Sequence, residues 1–108
     1  MALDHKNLIK AQLGNSIALV GTVVPASTTW YAKNITLYNT SGANVNTVEI
    51  RWGTSAAAST RYVYALDPNE SFEIPLEYPW ILVATEGVYA SATNASEVNI
   101  FVDGAEET

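Results

Sequence analysis

The chain has no cysteine, a single histidine and only five basic residues in 108, and each scarcity removes a class of function. Without cysteine there is no disulfide, no thiolate zinc site and no cysteine nucleophile, so the chain is indifferent to redox compartment. The one histidine, His5, stands near the chain start with no fixed carboxylate or serine beside it. A Ser-His-Asp arrangement would have to be assembled on a chain end, and His5 reads as an exposed bystander. Lys6, Lys10, Lys33, Arg51 and Arg61 are scattered against eleven acidic residues, giving a net charge of −6 and a pI near 4.4. Nucleic-acid backbones and anionic membrane surfaces draw on clustered Lys and Arg, so neither is expected as a partner. No apolar run approaches the roughly 18 residues of a spanning helix. The order Asp4, His5, Lys6, Asn7 is not that of a signal peptide. The six glycines are isolated turn residues, none at the spacing that cradles a phosphate.

What is present is a globular composition, 48% hydrophobic and 15% charged, in a length that suits one domain with a single core. The pattern is β throughout. Thr29–Gly53 holds two alternating runs joined by a polar Gly/Asn/Ser turn, which predicts a hairpin. Period-two alternation puts Tyr31, Lys33, Ile35 and Leu37 on one face and Trp30, Ala32, Asn34, Thr36 and Tyr38 on the other. In the second run Asn46, Val48, Ile50 and Trp52 oppose Thr47, Glu49 and Arg51. Ile17–Val24 predicts a strand buried on both faces and stopped by Pro25. Residues 53–60 predict a small polar loop. Arg61–Asp67, Ser71–Leu76, Trp80–Ala84, Val88–Ala92 and Val98–Val102 complete some eight short strands, with Pro75 marking an edge or a strand end and Trp80–Ala84 a central strand. Asp67-Pro68-Asn69-Glu70 predicts a type I turn. The fold class expected is an all-β, single-domain antiparallel β-sandwich, jelly-roll-like. Residues 14–103 form the sandwich, 1–13 a short N-terminal arm and 104–108 a solvated acidic tail. For the arm, helix, strand and extended chain stay open; Asp4 and Gly14 would suit the start and stop of a short helix.

The chemistry-bearing patterns are sparse. Asp67, Asn69 and Ser71 alternate like the first ligands of a calcium loop, but Phe72 and Tyr78 occupy the positions that need glycine and a bidentate glutamate. Glu70, Glu73, Glu77 and Glu86 read as a solvated acidic rim rather than paired glycosidase acids; a cation bridging two subunits stays open. No catalytic residue, cofactor site or metal site is expected. Three tryptophans and six tyrosines exceed the needs of a small core, and surplus aromatics favour a protein–protein interface. The residues expected there are Leu3, Leu8, Ile9, Leu13, Trp30, Tyr31, Tyr62, Tyr64 and Phe101.

Five pieces then follow one another in a telling order: Gln12-Leu13-Gly14-Asn15-Ser16; Thr22-Val23-Val24-Pro25-Ala26; Lys33-Asn34-Ile35-Thr36-Leu37-Tyr38-Asn39-Thr40-Ser41; Asn69-Glu70-Ser71-Phe72-Glu73-Ile74-Pro75-Leu76; and Val98-Asn99-Ile100-Phe101-Val102-Asp103-Gly104. This order resembles the small all-β virion proteins of tailed bacteriophages, in which a leucine-glycine arm precedes valine-proline-alanine, a strand ending asparagine-threonine-serine and a late closing strand. Where that family carries a turn such as glycine-aspartate, this chain has Glu86-Gly87 after Thr85. The resemblance spans nearly the whole chain, rests on turn and strand punctuation, and brings no catalytic residues.

It implies a non-enzymatic structural protein of the virion, assembled in the bacterial host cytoplasm. The role expected is a capsid decoration (cement) or minor capsid protein on the assembled head, with neck or tail component as the alternative within the same class. The partners expected are other copies of the chain, as a trimer, and the major capsid protein. The reading from a different class is a carbohydrate-binding module of a head or tail fibre, with Trp30, Tyr31, Tyr62 or Tyr64 stacking on a host glycan. The four apolar residues Leu3, Leu8, Ile9 and Leu13 lie outside the alternating pattern, so removing Met1–Leu13 is expected to leave the sandwich folded while abolishing assembly.

Overall fold

The computed structural model describes residues 3–57 and 60–108, so Met1, Ala2 and the loop residues Ala58 and Ser59 lie outside the described residues, as do the side chains of Thr60, Arg61, Glu77 and Tyr78. Eight strands follow one another: β1 (Leu3–Gln12), β2 (Ala18–Val20), β3 (Thr29–Asn39), β4 (Asn46–Gly53), β5 (Thr60–Leu66), β6 (Ser71–Val83), β7 (Gly87–Ser91) and β8 (Val98–Glu107). They form two four-stranded antiparallel sheets, ordered β1-β8-β3-β6 and β2-β7-β4-β5. The all-β sandwich expected from the turn spacing is the architecture of the protein.

The pairs β1–β8, β2–β7, β3–β6 and β4–β5 are nested, each enclosing the next along the chain. That nesting corrects the hairpin expected over Thr29–Gly53. β3 and β4 belong to different sheets, and residues 40–45 cross between them. Each run is apolar on one face only, and facing the two across the core buries Ile35 and Leu37 of one with Val48 and Ile50 of the other without asking a pairing partner to cover both.

The N-terminal segment is neither helix nor arm. β1 pairs with β8 from Leu3↔Glu107 to Gln12↔Asn99, and Ile9 and Leu13 are core residues. Leu13 N–H also donates to Val98 O at 2.8 Å. The acidic tail is likewise structured: β8 runs to Glu107, and Ala105 is buried. An outer strand needs only one buried residue in two, so β1, with a single apolar cluster, shows little alternation to the eye. By contrast, the apolar Ile17–Val24 run yields only the three-residue β2, whose Ala18 and Leu19 are exposed. Gly21, at φ 71°, ends it. Residues 71–83 form one strand rather than two, and it lies at a sheet edge, so Trp80–Ala84 is not central. Asn69 at φ 61° gives its turn the left-handed third residue of a type II turn, not type I.

A line of β-bulges crosses the first sheet. Between Asn7↔Asp103 and Ile9↔Val102, β1 carries Leu8 as an extra residue. Between Ala32↔Gly104 and Asn34↔Asp103, β3 carries Lys33. On β6, residues 76–79 intervene between Pro75↔Asn34 and Trp80↔Ala32, where two prolines cannot donate to the ladder. An extra residue reverses which side chains face inward. Past the bulge, Ile35, Leu37 and Asn39 are buried; before it, Trp30 and Ala32 are. The two faces expected for β3 therefore exchange at Lys33, and Tyr31 and Lys33 point away from the core that Ile35 and Leu37 build.

Candidate functional site

No group of three or more His, Asp or Glu side chains that could hold a metal ion occurs among the described residues. Asp67 and Glu70 close their own turn: Glu70 N–H donates to Asp67 O at 3.0 Å, and Asp67 N–H to Glu70 Oε1 at 2.8 Å. Glu86 likewise accepts from Val83 N–H at 2.8 Å. These two carboxylates of the expected acidic rim act as turn caps; Glu77 of that rim has its side chain outside the described residues.

The largest polar cluster sits where β3 ends and β4 begins. Asn39 and Asn46 are wholly buried. Asn39 Nδ2 donates to the carbonyls of Asn44, Leu66 and Asp67, and its Oδ1 accepts from Ser41 N–H and Asn46 Nδ2. Asn46 Nδ2 also donates to Glu97 Oε1 at 3.0 Å, and Asn46 Oδ1 accepts from Asn94 N–H at 2.9 Å. Two amides thus tie three loops together with their hydrogen-bonding capacity occupied, which makes them structural.

At the opposite end, Glu106 accepts from Lys6 Nζ at 2.9 Å and from Trp30 Nε1 at 2.8 Å. Those two donors hold its carboxyl below the usual carboxylate value. The rings of Trp52 and Trp80 meet nearby with centroids 4.7 Å apart.

The outer face of the first sheet is one exposed surface of the protein. In register across β1, β8, β3 and β6, one outward row is Leu3, Glu107, Thr29 and Val83, and the next is His5, Ala105, Tyr31 and Ile81. Ile81 and Val83, next to each other on the outward side of the edge strand β6, are 52% and 51% exposed, and Leu3 on the opposite edge strand β1 is 53% exposed. Tyr31 O–H donates to Glu107 Oε1 at 3.1 Å, and this bond together with burial raises the phenol above its ordinary value of 10.0. Leu3, Tyr31, Lys33, Pro79, Ala105 and Glu107 enclose a hollow of about 250 Å3. A second groove of about 230 Å3 beside Lys10 and Phe101 continues the same face beyond the bulges.

The expected interface residues therefore divide. Leu3, Tyr31 and Phe101 share the outer face. Ile9, Leu13 and Trp30 are corrected: they are buried at 3%, 2% and 4% exposure in the chain's own core. Leu8, Tyr62 and Tyr64 are partly buried against that core. Tyr64 stacks on Phe72, centroids 4.0 Å apart at 2°, and burial followed by Glu70 raises its hydroxyl above 10.0. Neither Trp30 nor the Phe72-covered face of Tyr64 is open for sugar stacking. Ile81 and Val83 were missed because they sit in a run apolar on both sides, which reads as a buried central strand. No family model matches this sequence, and no curated protein matches it.

Proposed function

We propose that this chain is a non-enzymatic structural protein of a bacteriophage particle, carried as an oligomer on the assembled head as a decoration (cement) or minor capsid protein. The observation that carries the structural role is the outer face of the first sheet, where Ile81 and Val83 stand exposed on one edge strand and Leu3 on the other, while the polar clusters found inside are occupied by the fold. A sheet face that carries exposed aliphatic side chains among scattered charges, with no group of metal-ligating side chains among the described residues, suits contact with a protein rather than chemistry on a substrate. The five-piece order that resembles small phage virion proteins supplies the choice of particle. The nested strand pairs support reading the sandwich as a jelly roll, an architecture used by capsid and lectin domains alike; the occupied and buried aromatics favour the former. Quantitative mass spectrometry of purified particles tests the proposal. Many copies per particle are expected, a few copies would move the chain to the neck or tail, and absence would overturn the virion role.

A further inference from the structure

The outer face of the first sheet is complementary to itself. Its two central strands differ in kind: β8 presents the acids Asp103 and Glu107, whereas β3 presents Tyr31, the base Lys33 and Thr29. The two edge strands differ in the same sense. β1 presents Leu3 and Lys10, and β6 presents Val83 and Glu73.

We propose that two copies of this chain pack face to face through this sheet, about a two-fold axis that runs along the strands between β8 and β3. Such an axis lays β8 of one copy over β3 of the other and β1 over β6, so that every contact occurs twice, as a closed two-fold interface requires. Leu3 meets Val83, so that two exposed aliphatic side chains cover each other, and Ile81 meets His5. Lys33 meets Asp103 and Lys10 meets Glu73, pairing bases and acids that form no ion pair within the chain among the described residues. An axis across the strands would instead stack β8 on β8 and β3 on β3, bringing the acid-bearing strands together rather than pairing acid with base. The Tyr31–Glu107 hydrogen bond fixes the anchoring ring before contact, which lowers the ordering cost of binding.

Four strands about 4.8 Å apart and roughly ten residues long give a face near 19 by 33 Å, on the scale of the ~800 Å2 per partner of a standard specific interface. The pairing is independent of the phage reading and could fail or hold without it. It is an alternative to the trimer that the resemblance implies, because a face that complements itself closes on two copies.

Light scattering after gel filtration, run on the full chain over a concentration series, tests it. A mass twice the 11.6 kDa of one chain is expected; a monomer at every concentration, or a trimer, overturns the proposal. Val83→Lys should yield monomer, whereas Val63→Lys, at a position 58% exposed on the other sheet, should leave the mass unchanged. Lys33→Asp and Asp103→Lys should each raise the half-dissociation concentration about tenfold, equivalent to ~1.4 kcal/mol, and the double swap should restore it. Lys10→Glu with Glu73→Lys provides a second rescue at a separate contact. A dimer indifferent to Val83→Lys, or double swaps no better than the single ones, would place the interface elsewhere and overturn the assignment.

Discussion

The two ends of the sandwich are held by opposite means. At the end where β3 finishes, the buried amides of Asn39 and Asn46 stitch together the loops at 40–45, 67–70 and 92–97. At the end where β3 begins, a carboxylate bridges a partly exposed lysine and an indole, and the sheet extends past its bulges with Trp30, Ala32 and Leu82 turned inward. A buried amide that loses its partners strands several polar groups away from water, whereas an ion pair near the surface is screened and loses little. The comparison teaches that position, rather than charge, decides which end is critical.

The largest effect expected is from removing residues 1–13. Because β1 supplies Ile9 and Leu13 to the core and covers one side of β8, cooperative urea unfolding should disappear altogether; a truncated chain with the parent's transition would mean that β1 is dispensable. Next comes Gly104→Ala. A Cβ there would stand 2.0 Å from Tyr31 O and 3.1 Å from Ala32 Cα, both backbone atoms, so β3 and β8 must separate. A loss of about 3 kcal/mol is expected from denaturant midpoints. Asn39→Ala should cost ~2–3 kcal/mol, since three carbonyls, one N–H and the Asn46 amide lose their partner together.

Glu106→Gln sharpens the contrast, with a smaller loss that added salt diminishes in the parent and leaves unchanged in the variant. Its pH dependence has a definite sign. The folded state depresses the Glu106 value below 4.5, so its contribution is present above 4.5 and is lost as pH falls through the lower folded value. Thermal melts of parent and variant should therefore converge in acid. The smallest effect concerns the two ends' turns. Asn69 tolerates its positive φ, but Thr85 is β-branched and sits at φ 74°. Thr85→Gly should stabilise by ~0.5–1 kcal/mol, seen as a raised melting temperature; a fall would show that the Thr85 side chain contributes a contact outweighing its strain.

Much of the fold was legible because alternation and turn residues report local geometry. β4 faces the way its sequence predicts, with Val48 and Ile50 inward, and the alternation in β8 likewise turns Val98, Ile100 and Val102 inward. Eight strands were expected and eight occur, but the count agrees through two compensating errors: 71–76 and 80–84 are one strand, and β1 was read as an arm. What alternation cannot report is pairing. Nothing in Thr29–Gly53 distinguishes a hairpin from two strands that face each other across a core, because both bury the same side chains. Nor does a bulge announce itself, since Lys33 is an ordinary strand residue whose extra position is visible only against Gly104 and Asp103. The outer face was half found, through Leu3, Tyr31 and Phe101, and half hidden by the same bulge line, which reverses the outward set.

The nesting of the strand pairs also governs when this chain can fold during its synthesis. β4 and β5 lie close in sequence and can pair once the middle of the chain has left the ribosome, but Lys6 waits for Glu106, 100 residues later. Until the final strand emerges, β1 and β3 present open edges and an uncovered apolar face, the state in which nascent β-proteins are most exposed to wrong pairing. Synthesis of β8 is thus the event that closes the core, because both β1 and β3 pair with it.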